Sequence, residues 1–150
     1  MMADQFSVPG WDDYFLGIAQ AVAQRAKCRR RHVGAVVTID RRIIATGYNG
    51  AAPGEPDCLE GACPRGLLSY DQVPGLGDYD RPGTPGFCIA IHAEVNALLW
   101  ATRDTTGGTA YITDQPCPGC RKALAAAGIV RVVWPAGEFD RVGLTDWTKY

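Results

Sequence analysis

Two short stretches constrain this chain more than anything else in it: Ile91-His92-Ala93-Glu94-Val95-Asn96 and Gln115-Pro116-Cys117-Pro118-Gly119-Cys120. The first sets an imidazole and a carboxylate two positions apart where a helical run opens. The second sets two thiols at i and i+3, after a strand-like run and at the start of another helical run. Residues three apart share a helical face, so Cys117 and Cys120 can address one ion. With His92 they make three nitrogen and sulfur ligands and leave one position over. That is the ligand count of a catalytic zinc, since structural zinc sites fill all four positions. Glu94 then reads as a proton carrier beside the open position, not as a ligand. Residues two apart in mid-helix point to nearly opposite sides, so His92 and Glu94 can share a cavity only at a helix entrance.

Each half alone carries less. A C-x-x-C beside a strand and a helix also suits a thiol redox pair, which would cycle Cys117 and Cys120 through a disulfide without metal and without Glu94. A catalytically inert, zinc-stabilised binding module would hold the ion without turnover, and an intact Glu94 speaks against it. The conjunction of both halves at two helix N-termini is the stronger signal.

The remaining chain bounds the setting. At 150 residues it suits one domain, residues 1–150, long enough to bury a core. A net charge of −1 offers no general attraction to nucleic acid or to an anionic membrane surface. No apolar run approaches membrane-spanning length, and Met1-Met2-Ala3-Asp4-Gln5 carries no basic region followed by an apolar core. Six cysteines without a secretory signal are expected as thiols or metal ligands in a reducing, cytoplasmic setting.

Trp11, Phe15, Ile18, Val22 and Ala26 recur at helical spacing and predict an amphipathic helix over residues 11–26. The basic run Lys27-Cys28-Arg29-Arg30-Arg31-His32 suits the negative end of that helix, with a weaker second role in attracting a substrate phosphate. Val33–Ile39 and Arg42–Tyr48 read as two strands around a tight Asp40-Arg41 turn, closed by Gly47-Tyr48-Asn49-Gly50. Residues 50–87 hold six prolines, many glycines and no period, so the stretch is expected to be either a functional insert or disordered. Its Cys58 and Cys63, with Cys88 just beyond and Cys28 or His32 before it, are candidates for a second, structural zinc; unremarkable buried thiols are the alternative. A helix from His92 to about Arg103, a strand Thr109–Asp114, a helix Cys117–Ala127 and a strand Ile129–Trp134 follow. The tail after Pro135 offers a short helix at most. The order predicts a layered α/β domain with a mixed sheet, its first two strands antiparallel and the later ones parallel.

On Val33-Gly34-Ala35-Val36-Val37, Gly47-Tyr48-Asn49-Gly50, His92-Ala93-Glu94 and Pro116-Cys117-Pro118-Gly119-Cys120, the chain resembles the deoxycytidylate (dCMP) deaminase branch of the zinc-dependent cytidine deaminase superfamily. The resemblance implies a three-layer α/β/α fold with four to five strands, zinc at His92, Cys117 and Cys120, and Glu94 as the proton shuttle. It implies dCMP as substrate, a contact from Asn49 to the nucleotide sugar, and backbone donors near Ala93. It also implies a homo-oligomer, often a hexamer, regulated by dCTP and dTTP. Some relatives hold a second zinc through positions matching Cys28 and Cys58. A tRNA adenosine deaminase shares the zinc motifs but suits the long cysteine-bearing insert poorly, and a nucleoside cytidine deaminase lacks that insert.

Overall fold

The computed structural model describes residues 7–73 and 78–149; Met1 to Gln5, Pro74 and Tyr150 lie outside them. A central sheet of five strands carries helices on both faces. Helix α1 spans Trp11–Ala23, and strands β1 (Gly34–Ile39) and β2 (Arg42–Tyr48) follow. The insert comes next, then α2 (Ala93–Leu99), β3 (Thr109–Ile112), α3 (Pro118–Ala126), β4 (Arg131–Trp134), β5 (Gly137–Asp140) and α4 (Arg141–Leu144).

The strands lie in the order β2-β1-β3-β4-β5. The β1–β2 hairpin is antiparallel, as its two-residue turn requires, with both Asp40 and Arg41 at positive φ. Ile44 is the extra residue of a bulge opposite Val37 and Thr38. Two expectations are corrected here. Although β3 follows a helix, it pairs antiparallel with β1, and only β3 and β4 run parallel. The tail does hold a fifth strand: Pro135 and Ala136 form the loop of a β4–β5 hairpin that pairs Trp134 with Gly137. Pro135 ends one strand by starting its return. Strand β5 escaped the sequence because Gly137-Glu138-Phe139-Asp140 buries a single apolar side chain, Phe139.

The alternating pleat of β1 and β3 makes the three layers. Val36 and Tyr111, with Val133 of β4, face Phe15 and Ala19 of α1. Ala35, Val37, Ala110 and Ile112 face the opposite way, toward Ala93 and Ala97 of α2 and Leu124 of α3. Two glycines set the close helix–sheet approach. A Cβ on Gly34 would lie 2.1 Å from the Ala19 carbonyl oxygen, and one on Gly47 would lie 2.4 Å from the Ala93 oxygen and 2.4 Å from the Ala97 nitrogen. Gly47 therefore lets α2, which bears the His-x-Glu motif, lie directly on β2.

Helix α2 is shorter than its sequence suggests. After Trp100 the chain turns back so that the Thr102 N–H and hydroxyl both donate to the Ile44 carbonyl. The insert has more structure than its composition predicts. Short 3-10 turns occur at Cys58–Glu60, Arg65–Leu67, Tyr70–Gln72 and Asp78–Asp80, the first capped reciprocally by Asp57 and Glu60.

Candidate metal and catalytic site

The topology brings the N-termini of α2 and α3 together at one end of the sheet. Helix α2 begins at Ala93, so His92 is its N-cap with an extended backbone (ψ 151) and Glu94 is its second residue. This is the helix entrance that a shared cavity demands. Helix α3 begins at Pro118, which is tolerated there because the first turn has no acceptor for its missing N–H. Cys117 is the N-cap, and its sulfur accepts the Cys120 N–H at 3.5 Å. Both thiols thus sit at the positive end of a nine-residue helix, where a thiolate is favoured.

His92 Nδ1 lies 3.2 Å from the Cys120 sulfur and 3.5 Å from the Cys117 sulfur. All three ligand atoms lie within 4.8 Å of one another. Tetrahedral zinc with ordinary bond lengths separates nitrogen from sulfur by about 3.6 Å and sulfur from sulfur by about 3.8 Å. The donor set fits a zinc ion in chemistry and in spacing. Among the described residues, no other His, Cys, Asp or Glu group comes together as tightly.

Electrostatics agree. The two sulfurs hold one proton between them: a hydrogen bond from Cys120 brings the Cys117 thiol down to about 3, while the same bond pushes Cys120 up. The bond to Cys117 also raises His92. A divalent cation takes the place of such shared protons. Glu94 is buried, and burial raises its carboxyl above the usual range despite hydrogen bonds from its own N–H and from Cys120. A carboxyl poised in that way both accepts and returns protons.

The other sequence candidates fall in distinct places. Asn49 is buried; its Oδ1 accepts the Val33 N–H and its Nδ2 donates to the Arg31 carbonyl, each at 2.9 Å. Ala93 is fully buried behind Gly47, and its N–H belongs to the first turn of α2, which has no acceptor within the helix. Cys28, Cys58 and Cys63 form one buried cluster with Cys88 packed against it. His32 lies beside it, its Nε2 meeting the Cys28 carbonyl at 2.9 Å. Two of the cluster's sulfurs accept backbone N–H groups, Cys28 from Arg30 and Cys58 from Arg29, while the Cys63 thiol meets the Phe87 carbonyl.

Two residues that composition and periodicity did not single out also belong to this end of the molecule. Tyr79, from the insert, packs its ring on His92. Arg121, directly after Cys120, is 1% exposed and collects four carbonyls of the tail. Tyr79 had no sequence signal, because the insert has no period. Arg121 had one in principle: three residues before Leu124, it shares a helical face with a core residue.

Residues 9–136 match the family model of the cytidine and deoxycytidylate deaminase zinc-binding region. The chain belongs to this family. Its curated relatives include the deoxycytidylate deaminase of Mycobacterium phage D29, 52% identical over 130 residues, covering 86% of this chain and 97% of that one. The deoxycytidylate deaminase of Enterobacteria phage T4 is 36% identical over 143 residues, covering 79% and 74%. Among solved structures, the dCMP deaminase of cyanophage S-TIM5 in complex with dCMP and dUMP superposes with a TM-score of 0.63 at 26% identity, covering 85% of this chain and 82% of that one.

Proposed function

We propose that this chain is a zinc-dependent deoxycytidylate deaminase that hydrolyses dCMP to dUMP and releases ammonia. The carrying observation is the convergence of His92, Cys117 and Cys120 beside the buried Glu94, in a chain 52% identical to a deoxycytidylate deaminase over nearly that protein's whole length. The redox reading loses ground because Cys117 and Cys120 share their pole with an imidazole and a carboxylate that a disulfide exchange does not need.

His92, Cys117 and Cys120 would hold the zinc. Zinc bound there supplies Lewis acidity, which brings water within reach of deprotonation near neutral pH. Glu94 takes that proton as water adds to C4 of the cytosine ring and gives it to N3; it then moves the second water proton, now on the C4 hydroxyl, to the amino group, which leaves as ammonia as the C4–N4 bond breaks. The Ala93 N–H and the first turn of α3 would donate toward charge developing on the substrate. Asn49 acts first as a strut, holding the Arg31–Val33 segment through both ends of its amide. Its second amide hydrogen and second lone pair leave it able to meet the sugar. The 5′-phosphate is assigned to the basic run Lys27–Arg31, whose Arg31 pairs with Asp114 shortly before Cys117.

A second, structural zinc at Cys28, Cys58, Cys63 and Cys88 is supported by the gathering of these four cysteines in one cluster, with backbone N–H groups meeting the Cys28 and Cys58 sulfurs. A homo-oligomer is supported by the exposed Leu99 and Trp100 at the end of α2. Cytoplasmic residence and regulation by dCTP and dTTP rest on the family likeness. No described helix is long and apolar enough to cross a membrane.

The test is ammonia release from dCMP, CMP, deoxycytidine and tRNA adenosine by wild type and Glu94→Ala, with zinc counted per chain. Turnover of dCMP that vanishes in Glu94→Ala while zinc stays bound supports the reading. Metal-free protein, silent on all four substrates and carrying a reversible Cys117–Cys120 disulfide, would overturn it.

A further inference from the structure

We infer that Tyr79 is a positioning residue of the metal site: reaching in from the insert, its ring orients the His92 imidazole and its hydroxyl holds the Cys117 sulfur. This inference rests on the zinc reading of the site and extends it to a residue outside the motifs.

The ring centroids of Tyr79 and His92 lie 5.5 Å apart with the planes tilted by 38°. That is the distance of an aromatic pair, so the imidazole is braced on the side facing the insert. The Tyr79 hydroxyl interacts with the Cys117 sulfur. Two of the three ligands are therefore touched by one side chain. A phenol has one hydrogen to donate. A hydroxyl donor spreads charge off a thiolate and fixes the direction of its lone pairs, the role that partners behind metal ligands commonly play.

Tyr79 is itself held in place. Its carbonyl accepts the Cys88 N–H at 2.8 Å, which fastens it to the thiol cluster. The Arg65 guanidinium lies 6.0 Å from its ring centroid. Arg65 is anchored in turn, donating from Nη1 to the Gly86 carbonyl and from its backbone N–H to the Phe87 carbonyl. The insert thus delivers Tyr79 to the ligands from a fixed frame.

The experiment compares wild type, Tyr79→Phe and Tyr79→Leu by chelator competition and by the visible spectrum after cobalt substitution. His92→Ala identifies the zinc that belongs to this site. Tyr79→Phe keeps the ring and loses only the hydroxyl. It should weaken zinc about 10-fold and shift the thiolate-to-cobalt absorption, with far-ultraviolet circular dichroism unchanged. Tyr79→Leu, which loses both contacts, should approach 100-fold. Tyr79→Phe with unaltered affinity and spectrum would overturn the inference while leaving the zinc reading intact. A wild type with no zinc sensitive to His92→Ala would overturn both.

Discussion

The insert and the tail are the two parts of this molecule that lack long elements, and they are fastened to the core in opposite ways. The insert is pinned by sulfur: Cys58, Cys63 and Cys88 gather on Cys28, while Arg30 donates to the Arg65 and Leu68 carbonyls. The tail is pinned by one cation. Arg121 donates to the carbonyls of Gly143, Leu144, Asp146 and Lys149, and its guanidinium lies between the rings of Phe139 and Trp147, at 4.5 and 4.8 Å. It satisfies the last carbonyls of α4, where a cation is favoured. A guanidinium cannot be deprotonated, oxidised or chelated. Thiols can. The insert is therefore the region whose order chemistry can alter, and it is also the region that carries Tyr79 to the metal ligands.

The sharpest way to break this contrast is Arg121→Ala. It leaves several buried carbonyls without a donor and opens a cavity between two aromatic rings, so a loss of about 4 kcal/mol is expected. In a chain of this size that lowers the midpoint of thermal unfolding by roughly 10 °C. Arg121→Lys should recover only part of it, since one ammonium cannot match the planar fork. A midpoint within about 2 °C of wild type for Arg121→Ala would show that the tail is held mainly by Phe139 and Leu144 instead.

Next in size is Cys63→Ser. A second zinc count that falls from two to one per chain, with protease cleavage appearing within residues 50–87 and the tail unaffected, is the expected result. A count that stays unchanged would remove the structural zinc and leave the cluster as buried thiols. Chelation alone should act in the same direction, raising amide exchange in the insert several-fold while the residues held by Arg121 keep their protection.

The contrast also explains what could be read in advance. His92, Glu94, Cys117 and Cys120 were legible because metal chemistry demands those residue types at helix N-termini, and the glycine at 47 stands where α2 lies on β2. The hairpin and α1 were legible from periodicity. What escaped was held by single residues without a pattern: β5 by Phe139, the tail by Arg121, and the Tyr79 contact by a loop anchored through thiols. The direction of β3 escaped for a different reason. A helix between two strands permits a parallel crossover, but here the insert intervenes before α2 and the chain enters β3 antiparallel to β1.

The smallest effect sharpens the contrast by pH. Asp146 is half-buried, and hydrogen bonds from the Thr148 side chain and N–H hold its carboxyl below the usual carboxylate range. A carboxyl lowered in the folded state contributes stability above its unfolded value of 3.8 and loses that contribution as pH falls through the lowered folded value. Between pH 5 and 8 the tail should therefore show no change in exchange protection, with slight fraying only below about pH 4. With the proposed second zinc in place, the insert should behave differently over the same span, because acid would return protons to the thiolates that hold it and loosen the cluster first. Exchange measured at pH 7 and pH 5 separates the two. Loss of protection in the insert at pH 5, with the tail unmoved, is the expected outcome. Parallel loss in both regions would mean that the tail depends on the cysteine cluster and that Arg121 alone does not hold it.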